Sequence, residues 1–186
     1  MRKLISALLY TALLGVANIA HADIAELEAL RKGDMRKLIF HSEPWEGSST
    51  AFTHEDGSEM TLAEFEGQVV VLNFWATWCA PCRKEMPHLS ALQSEMGGDD
   101  LQVVTVATGR NARPAMERFL EEIGVDNLPL HTDNRSSLAR SMGVLGLPAT
   151  IILDREGNEL GRMQGEADWS SDNATAILSR IVDGQY

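Results

Sequence analysis

The stretch Val69-Val-Val-Leu-Asn-Phe-Trp75, continuing through Ala76-Thr77 into Trp78-Cys79-Ala80-Pro81-Cys82, decides how the rest of the chain is read. Seven residues without polar alternation, apart from Asn73, predict a strand buried on both faces in the middle of a sheet. From Ala80 to Met96, Met86, Leu89, Leu92 and Met96 recur at helical spacing, and Gly97-Gly98 ends the pattern. Pro81 suits the first turn of that helix, where a missing N–H costs nothing, whereas Pro87 inside it should produce a kink. Cys79 and Cys82 are the only cysteines. A bond between them closes so short a loop that it stabilises by only about 2 kcal/mol. Such a pair is suited to opening and closing, not to stapling a fold.

Outward from this stretch, the order of elements defines the fold class. Phe52-Thr53-His54 and Glu59-Met60-Thr61 flank the turn residues 55–58 and predict a small hairpin. Thr61-Leu-Ala-Glu64 is a capping-box pattern. Leu101 to Ala107 reads as a second buried strand, and Pro114 opens a helix with Met116, Phe119, Leu120 and Ile123 on one face. Leu128 to His131 is expected to be a short extended piece, and Ser136 to Met142 a short helix. Ala149 to Leu153 is a third strand, and Arg155-Glu-Gly-Asn158 turns the chain back into Glu159 to Gln164. Asp168 to Val182 is a last amphipathic helix. The result is an α/β domain with a central sheet and helices on both faces, whose chemistry belongs at the carboxyl ends of the strands. Cys79 lies there.

The N-terminal third is organised differently. Met1-Arg2-Lys3, the apolar run from Leu4 to Ala20 and the small-x-small site Ala20-His21-Ala22 are the three parts of a signal peptide, so residues 1–22 are expected to be removed on export. About 17 apolar residues is also the lower limit for an uncleaved membrane anchor. Residues 23–49 form an N-terminal extension to a domain over residues 50–186. Asp23 to Phe40 is expected to hold a short helix, a break and a turn, and His41 to Thr50 a surface loop with Trp45 packed onto the domain. The net charge of −11 would become −13 without residues 1–22, which argues against nucleic acid as a partner and suits a surface kept soluble by its acidity. An exported chain with a lone CxxC meets an oxidising compartment.

Thiol chemistry follows from position. The thiolate is the nucleophile, so a protein that uses one must lower its pKa from about 8.5. Cys79 stands at the start of a helix, where unpaired N–H groups and the dipole favour an anion. Cys82, one turn on, is placed to attack a mixed disulfide formed at Cys79. Cys79 is therefore the expected nucleophile and Cys82 the resolving thiol. Ala80-Pro81 supplies no cation or imidazole to stabilise the thiolate further, which points to a reductant or mild exchanger.

The segment Phe74-Trp75-Ala76-Thr77-Trp78-Cys79-Ala80-Pro81-Cys82, with Arg83-Lys84-Glu85-Met86-Pro87 after it, resembles the thioredoxin-like TlpA/ResA family of exported disulfide reductases. The resemblance extends over Gly146-Leu147-Pro148-Ala149-Thr150, Asp154-Arg-Glu-Gly157 and Gly165-Glu-Ala-Asp-Trp169, within residues 50–183. It implies a thioredoxin-like fold with a mixed sheet. It also implies a cis Pro148 facing the disulfide, with Leu147 free to pair with an extended client and Trp78 beside it. Thioredoxins proper carry a buried acid where Asn73 stands here. Family members instead often use a Glu three residues after the second cysteine, the position of Glu85. Glu85 shares a helical face with Cys82; it takes the Cys82 proton, raises the thiol pKa by charge repulsion, or, as a first-turn Glu, simply complements the helix dipole.

The resemblance further implies disulfide-bearing client proteins, such as apocytochrome c or a copper-site protein, and a membrane electron donor for re-reduction in the periplasm. No cofactor and no metal are expected, and a monomer is. Two other chemistries fit less well. A peroxiredoxin-type peroxidase wants Pro and Thr where Leu72 and Ala76 stand. A copper-binding chaperone or assembly factor on the same fold would suit two thiolates near an imidazole. Yet His41, His54, His88 and His131 have no ligand spacing to the pair, and His88 reads as a surface residue.

Overall fold

The structure, a computed structural model, describes residues 24–186, so the expected signal peptide lies outside the described residues. Residues 24–30 form helix α1, followed by a 3-10 turn at Gly33–Lys37. Eight strands make one sheet: β1 Ile39–Trp45, β2 Phe52–Thr53, β3 Glu59–Met60, β4 Val69–Trp75, β5 Leu101–Thr108, β6 His131–Asp133, β7 Ala149–Leu153 and β8 Glu159–Gln164. Four further helices follow α1: α2 Ala80–Met96, α3 Arg113–Glu122, α4 Ser137–Ser141 and α5 Asp172–Val182. The strand order is β1-β8-β7-β4-β5-β6-β2-β3. β4, β5 and β6 run parallel and all other pairs are antiparallel, which makes the sheet mixed.

The apolar run explains the centre. All seven residues of β4 are buried, and side chains alternate between two cores as the pleat requires. Val69, Val71 and Trp75 join the core under α2, α3 and α5; Val70, Leu72 and Phe74 join the core under α4. Asn73 points with the first set, toward α2. α2 starts and ends where the glycines and the CxxC place it, and the capping box at Thr61 and Glu64 is formed on a 3-10 turn, Leu62–Phe65. Among the described residues no helix is long and apolar enough to cross a membrane.

Three expectations need correction. Residues 41–50 are not simply a surface loop, because Ile39–Trp45 forms edge strand β1 antiparallel to β8. Its polar residues and Pro44 hide it in the sequence, and an edge is where a strand tolerates proline. His41 Nε2 reaches Glu159 Oε1 at 2.7 Å, and Arg162 adds two bonds to the same buried carboxylate at 2.5 and 2.6 Å. Trp45 stacks on His41, ring centroids 3.6 Å apart, but stays largely exposed. The extended piece expected at Leu128–His131 lies instead at His131–Asp133, since Pro129 has no donor for the ladder. The last helix begins at Asp172, four residues later than its periodicity suggests, and the loop ahead of it serves the site.

The extension also contributes to packing: Leu27, Met35 and Leu38 are buried in the larger core. β1 can approach β8 because position 161 carries no side chain. A Cβ there would lie 2.6 Å from the Ile39 carbonyl oxygen and 3.1 Å from Phe40 Cα, both backbone atoms. Gly161→Ala is therefore expected to force β1 outward at a cost of about 1–3 kcal/mol. In urea unfolding this appears as a lower midpoint with an unchanged m-value. An unshifted midpoint would mean that β1 adds little to stability.

Candidate active site

Helix α2 begins where β4 ends, and the turn between them carries the two sulfurs. Cys79 N donates to Ala76 O at 3.1 Å, which closes the turn, and Cys79 is the N-cap of α2. Its Sγ accepts the Cys82 N–H at 3.3 Å, the place an oxygen fills in an ordinary N-cap. The first turn of α2 contains no acidic side chain to compete for that positive end. The cysteines form a disulfide with Cα atoms 5.3 Å apart. Cys79 keeps 5% of its surface exposed and Cys82 none, so an incoming group meets Cys79 first.

The turn is held from the side by a residue the sequence alone does not single out. Asn111 Oδ1 accepts both the Thr77 N–H, at 2.8 Å, and the Thr77 hydroxyl, at 3.1 Å. Its Nδ2 donates to the Thr108 carbonyl at 3.0 Å, which ties the turn to the end of β5. Arg83 lies over the Phe119 ring, 4.5 Å from its centroid, and joins the start of α2 to α3.

Glu85 is 1% exposed, one turn beyond Cys82 on the buried face of α2. Asn73 Nδ2 donates to Glu85 Oε1 at 2.8 Å and to Thr150 Oγ1 at 3.0 Å, and Ala167 N donates to Glu85 Oε2 at 3.3 Å. Burial pushes the carboxyl up to about 7, against the downward pull of the Asn73 and Ala167 hydrogen bonds; the charge of Glu166 adds to the rise. Asn73 Oδ1 is buried and has no hydrogen-bond partner. The amide thus replaces a titratable acid on β4 and supports one on α2.

The Leu147–Pro148 peptide bond is cis, as the resemblance implies. β7 runs antiparallel to β4 with Ala149 opposite Phe74, so the segment before it lies at the same sheet end as Cys79. Pro148 O accepts Gly165 N and Gln164 Nε2, each at 2.9 Å, which fixes the segment to β8. Trp78 is 67% exposed and Leu145, within the same segment, 98%. Nothing in the sequence marks Leu145, because an exposed leucine and a buried one read alike.

His88 sits on α2 one turn beyond Glu85, with Nδ1 3.0 Å from Asp168 Oδ1. His54 and His131 pack against each other on the far edge, and His41 lies on β1. None of them is brought to the sulfurs. Among the described residues no three His, Cys, Asp or Glu side chains are grouped to hold a metal ion.

Comparison with known proteins agrees with this geometry. The Redoxin family model matches residues 46–178. The chain is 33% identical over 115 residues to the thiol-disulfide oxidoreductase ResA of Bacillus subtilis (strain 168), covering 60% of this chain and 63% of that protein. It is 27% identical over 121 residues to ResA of Bacillus thuringiensis subsp. konkukian (strain 97-27), covering 65% and 69%. A solved structure of a putative thiol:disulfide interchange protein DsbE from Chlorobium tepidum superposes with a TM-score of 0.66 at 24% identity, over 75% of this chain and 97% of that one, and shares its fold. With the match spanning most of the chain and its paired cysteines at the mouth of a thioredoxin-like sheet, this chain belongs to the Redoxin family, as a thiol-disulfide oxidoreductase of the ResA type.

Proposed function

We propose that the protein reduces disulfides in client proteins outside the cytoplasm. The observation that carries this reading is an N-cap sulfur, Cys79, backed by a sulfur and a carboxyl that solvent barely reaches, Cys82 and Glu85. In the reduced chain, the Cys79 thiolate attacks one client sulfur, and the other leaves as a thiolate and takes a proton from solvent. The Cys82 thiol then gives its proton to ionised Glu85 and attacks Cys79 Sγ. The bond from Cys79 to the client breaks, the second client sulfur leaves as a thiolate and takes a proton from solvent to complete the dithiol, and the Cys79–Cys82 bond re-forms. Two electrons pass to the client, and a membrane donor restores them.

The client lies extended across the segment before Pro148, pairing with the backbone at Leu147 and covering Trp78. Leu145, exposed in the same segment, favours a client with an apolar residue near its cysteine. Apocytochrome c and copper-site proteins are the client classes that the family resemblance suggests. Export by the N-terminal segment and a periplasmic site of action complete the reading.

The direction of electron flow is tested by the reduction potential. The Cys79 thiolate has helix N-H groups beside it but neither charge nor imidazole at Ala80-Pro81, so the reduced form gains little extra stability. A potential well below the roughly −120 mV of the strong periplasmic thiol oxidants is expected from equilibration with glutathione. A value close to that figure would make the protein an oxidant and reverse the assignment.

A further inference from the structure

Glu85 is closed off toward the sulfurs but not on its other side. A cleft of about 210 Å³, room for several water molecules, is lined by Lys84, Glu85, His88, Glu166, Asp168 and Asp34. Toward the disulfide, Cys82 stands one turn before Glu85 on α2 and is fully buried.

The mouth of the cleft is built by polar contacts. His88 Nδ1 faces Asp168 Oδ1 at 3.0 Å and Ser170 Oγ at 3.1 Å, and Ser170 also donates its hydroxyl to Asp168, at 2.7 Å. Asp34, from the N-terminal extension, accepts Asp168 N at 3.1 Å and so holds the opposite wall. Lys84 reaches Glu166 Oε1 at 3.4 Å, Lys37 binds Asp34 and the Glu166 carbonyl, and Glu166 Oε2 has no hydrogen-bond partner. The charged and titratable groups around Glu85 are thus Cys82, Lys84 and His88 on its own helix, Glu166 and Asp168 on the loop, and Asp34 and Lys37 on the 3-10 turn; β4 and β7 present only Asn73 and Thr150. With Nδ1–H donating to Asp168, the imidazole keeps a lone pair on Nε2 and can accept a proton there. An imidazole is the side chain suited to taking up and releasing protons near neutrality.

We propose that this cleft is the proton route between Glu85 and solvent, and that His88, oriented by Asp168, is the carrier at its mouth. The proposal rests on Glu85 accepting the Cys82 proton. Glu85 must be ionised to do so; when it is protonated, its proton passes along the cleft to His88 Nε2, and the imidazolium gives it to buffer. The proton lost by Glu85 is the one gained by solvent, and no bond to sulfur is involved. His88 is a positioning and relay residue, not one that touches the reacting sulfurs.

The test is stopped-flow oxidation of the reduced full chain by a disulfide peptide at pH 6, where most Glu85 must first shed a proton. His88→Gln is expected to slow the closing of the Cys79–Cys82 bond about tenfold in phosphate. Added imidazole should restore the rate, and the reduction potential should not move. Glu85→Gln should be slow in both buffers. An undiminished rate in His88→Gln overturns the relay while a slow Glu85→Gln leaves the role of Glu85 standing. A slow His88→Gln that imidazole does not rescue, or one with a shifted potential, assigns His88 a structural role and also overturns the relay. A Glu85→Gln chain as fast as the parent removes both.

Discussion

Cys82→Ser converts the protein into a trap: client remains joined to Cys79 through a disulfide that nothing inside the chain can resolve. Turnover falls about 10³-fold or more, the scale of losing a group that the reaction passes through. Cys79→Ser loses turnover equally but accumulates no adduct, because the remaining sulfur is fully buried and its own N–H is turned toward position 79. Non-reducing gels and mass spectrometry of the two variants, each mixed with a disulfide peptide, separate these outcomes. Adducts forming as readily on Cys82 as on Cys79 would contradict the order of attack. The asymmetry comes from the helix. Only the N-cap position combines access from solvent with unpaired backbone donors, and Cys82 lies a full turn inside.

Much of this was legible in the sequence, for reasons that differ from residue to residue. Val69–Trp75 announces itself because a strand buried on both faces carries no alternation of polar residues, Asn73 being its one polar position. The limits of α2 follow from a sulfur that can cap and two glycines that cannot continue a helix. β1 is illegible because an edge strand needs neither alternation nor freedom from proline; its place is fixed by the small size of Gly161 and the Glu159 carboxylate, over a hundred residues away. Glu85 and Asn73 could each be noticed alone. Their hydrogen bond depends on where α2 crosses β4, which local spacing does not encode. Asn111 and the Ala167 amide act through the chain's return to the site, so no short motif contains them. Functional sites gather such long-range contacts because the reacting atoms must be held by several elements at once.

Glu85→Gln should change how stability depends on pH, and in a direction opposite to the usual carboxylate. Burial raises the folded carboxyl from 4.5 to about 7. Below pH 4.5 both folded and unfolded chains hold the proton. Between 4.5 and about 7 the folded chain keeps a proton that the unfolded chain has released, so stability falls as pH rises through this window. Above it the loss is complete, about 3 kcal/mol in all. Glutamine cannot ionise and removes this dependence. It also fits the site: with the Asn73 amide turned over, the new amino group can donate to Asn73 Oδ1, the buried acceptor that has no partner in the parent chain. The variant loses hydrogen bonds to a charged acceptor, so the gain above pH 7 should be about 1–3 kcal/mol. Urea unfolding of the oxidised protein from pH 4 to 8 reads both curves. Parallel curves would mean that the Glu85 carboxyl ionises within the core at little cost. In that case it would hold no proton near neutrality, and its value as a partner for Cys82 would be no greater than that of a carboxylate in water.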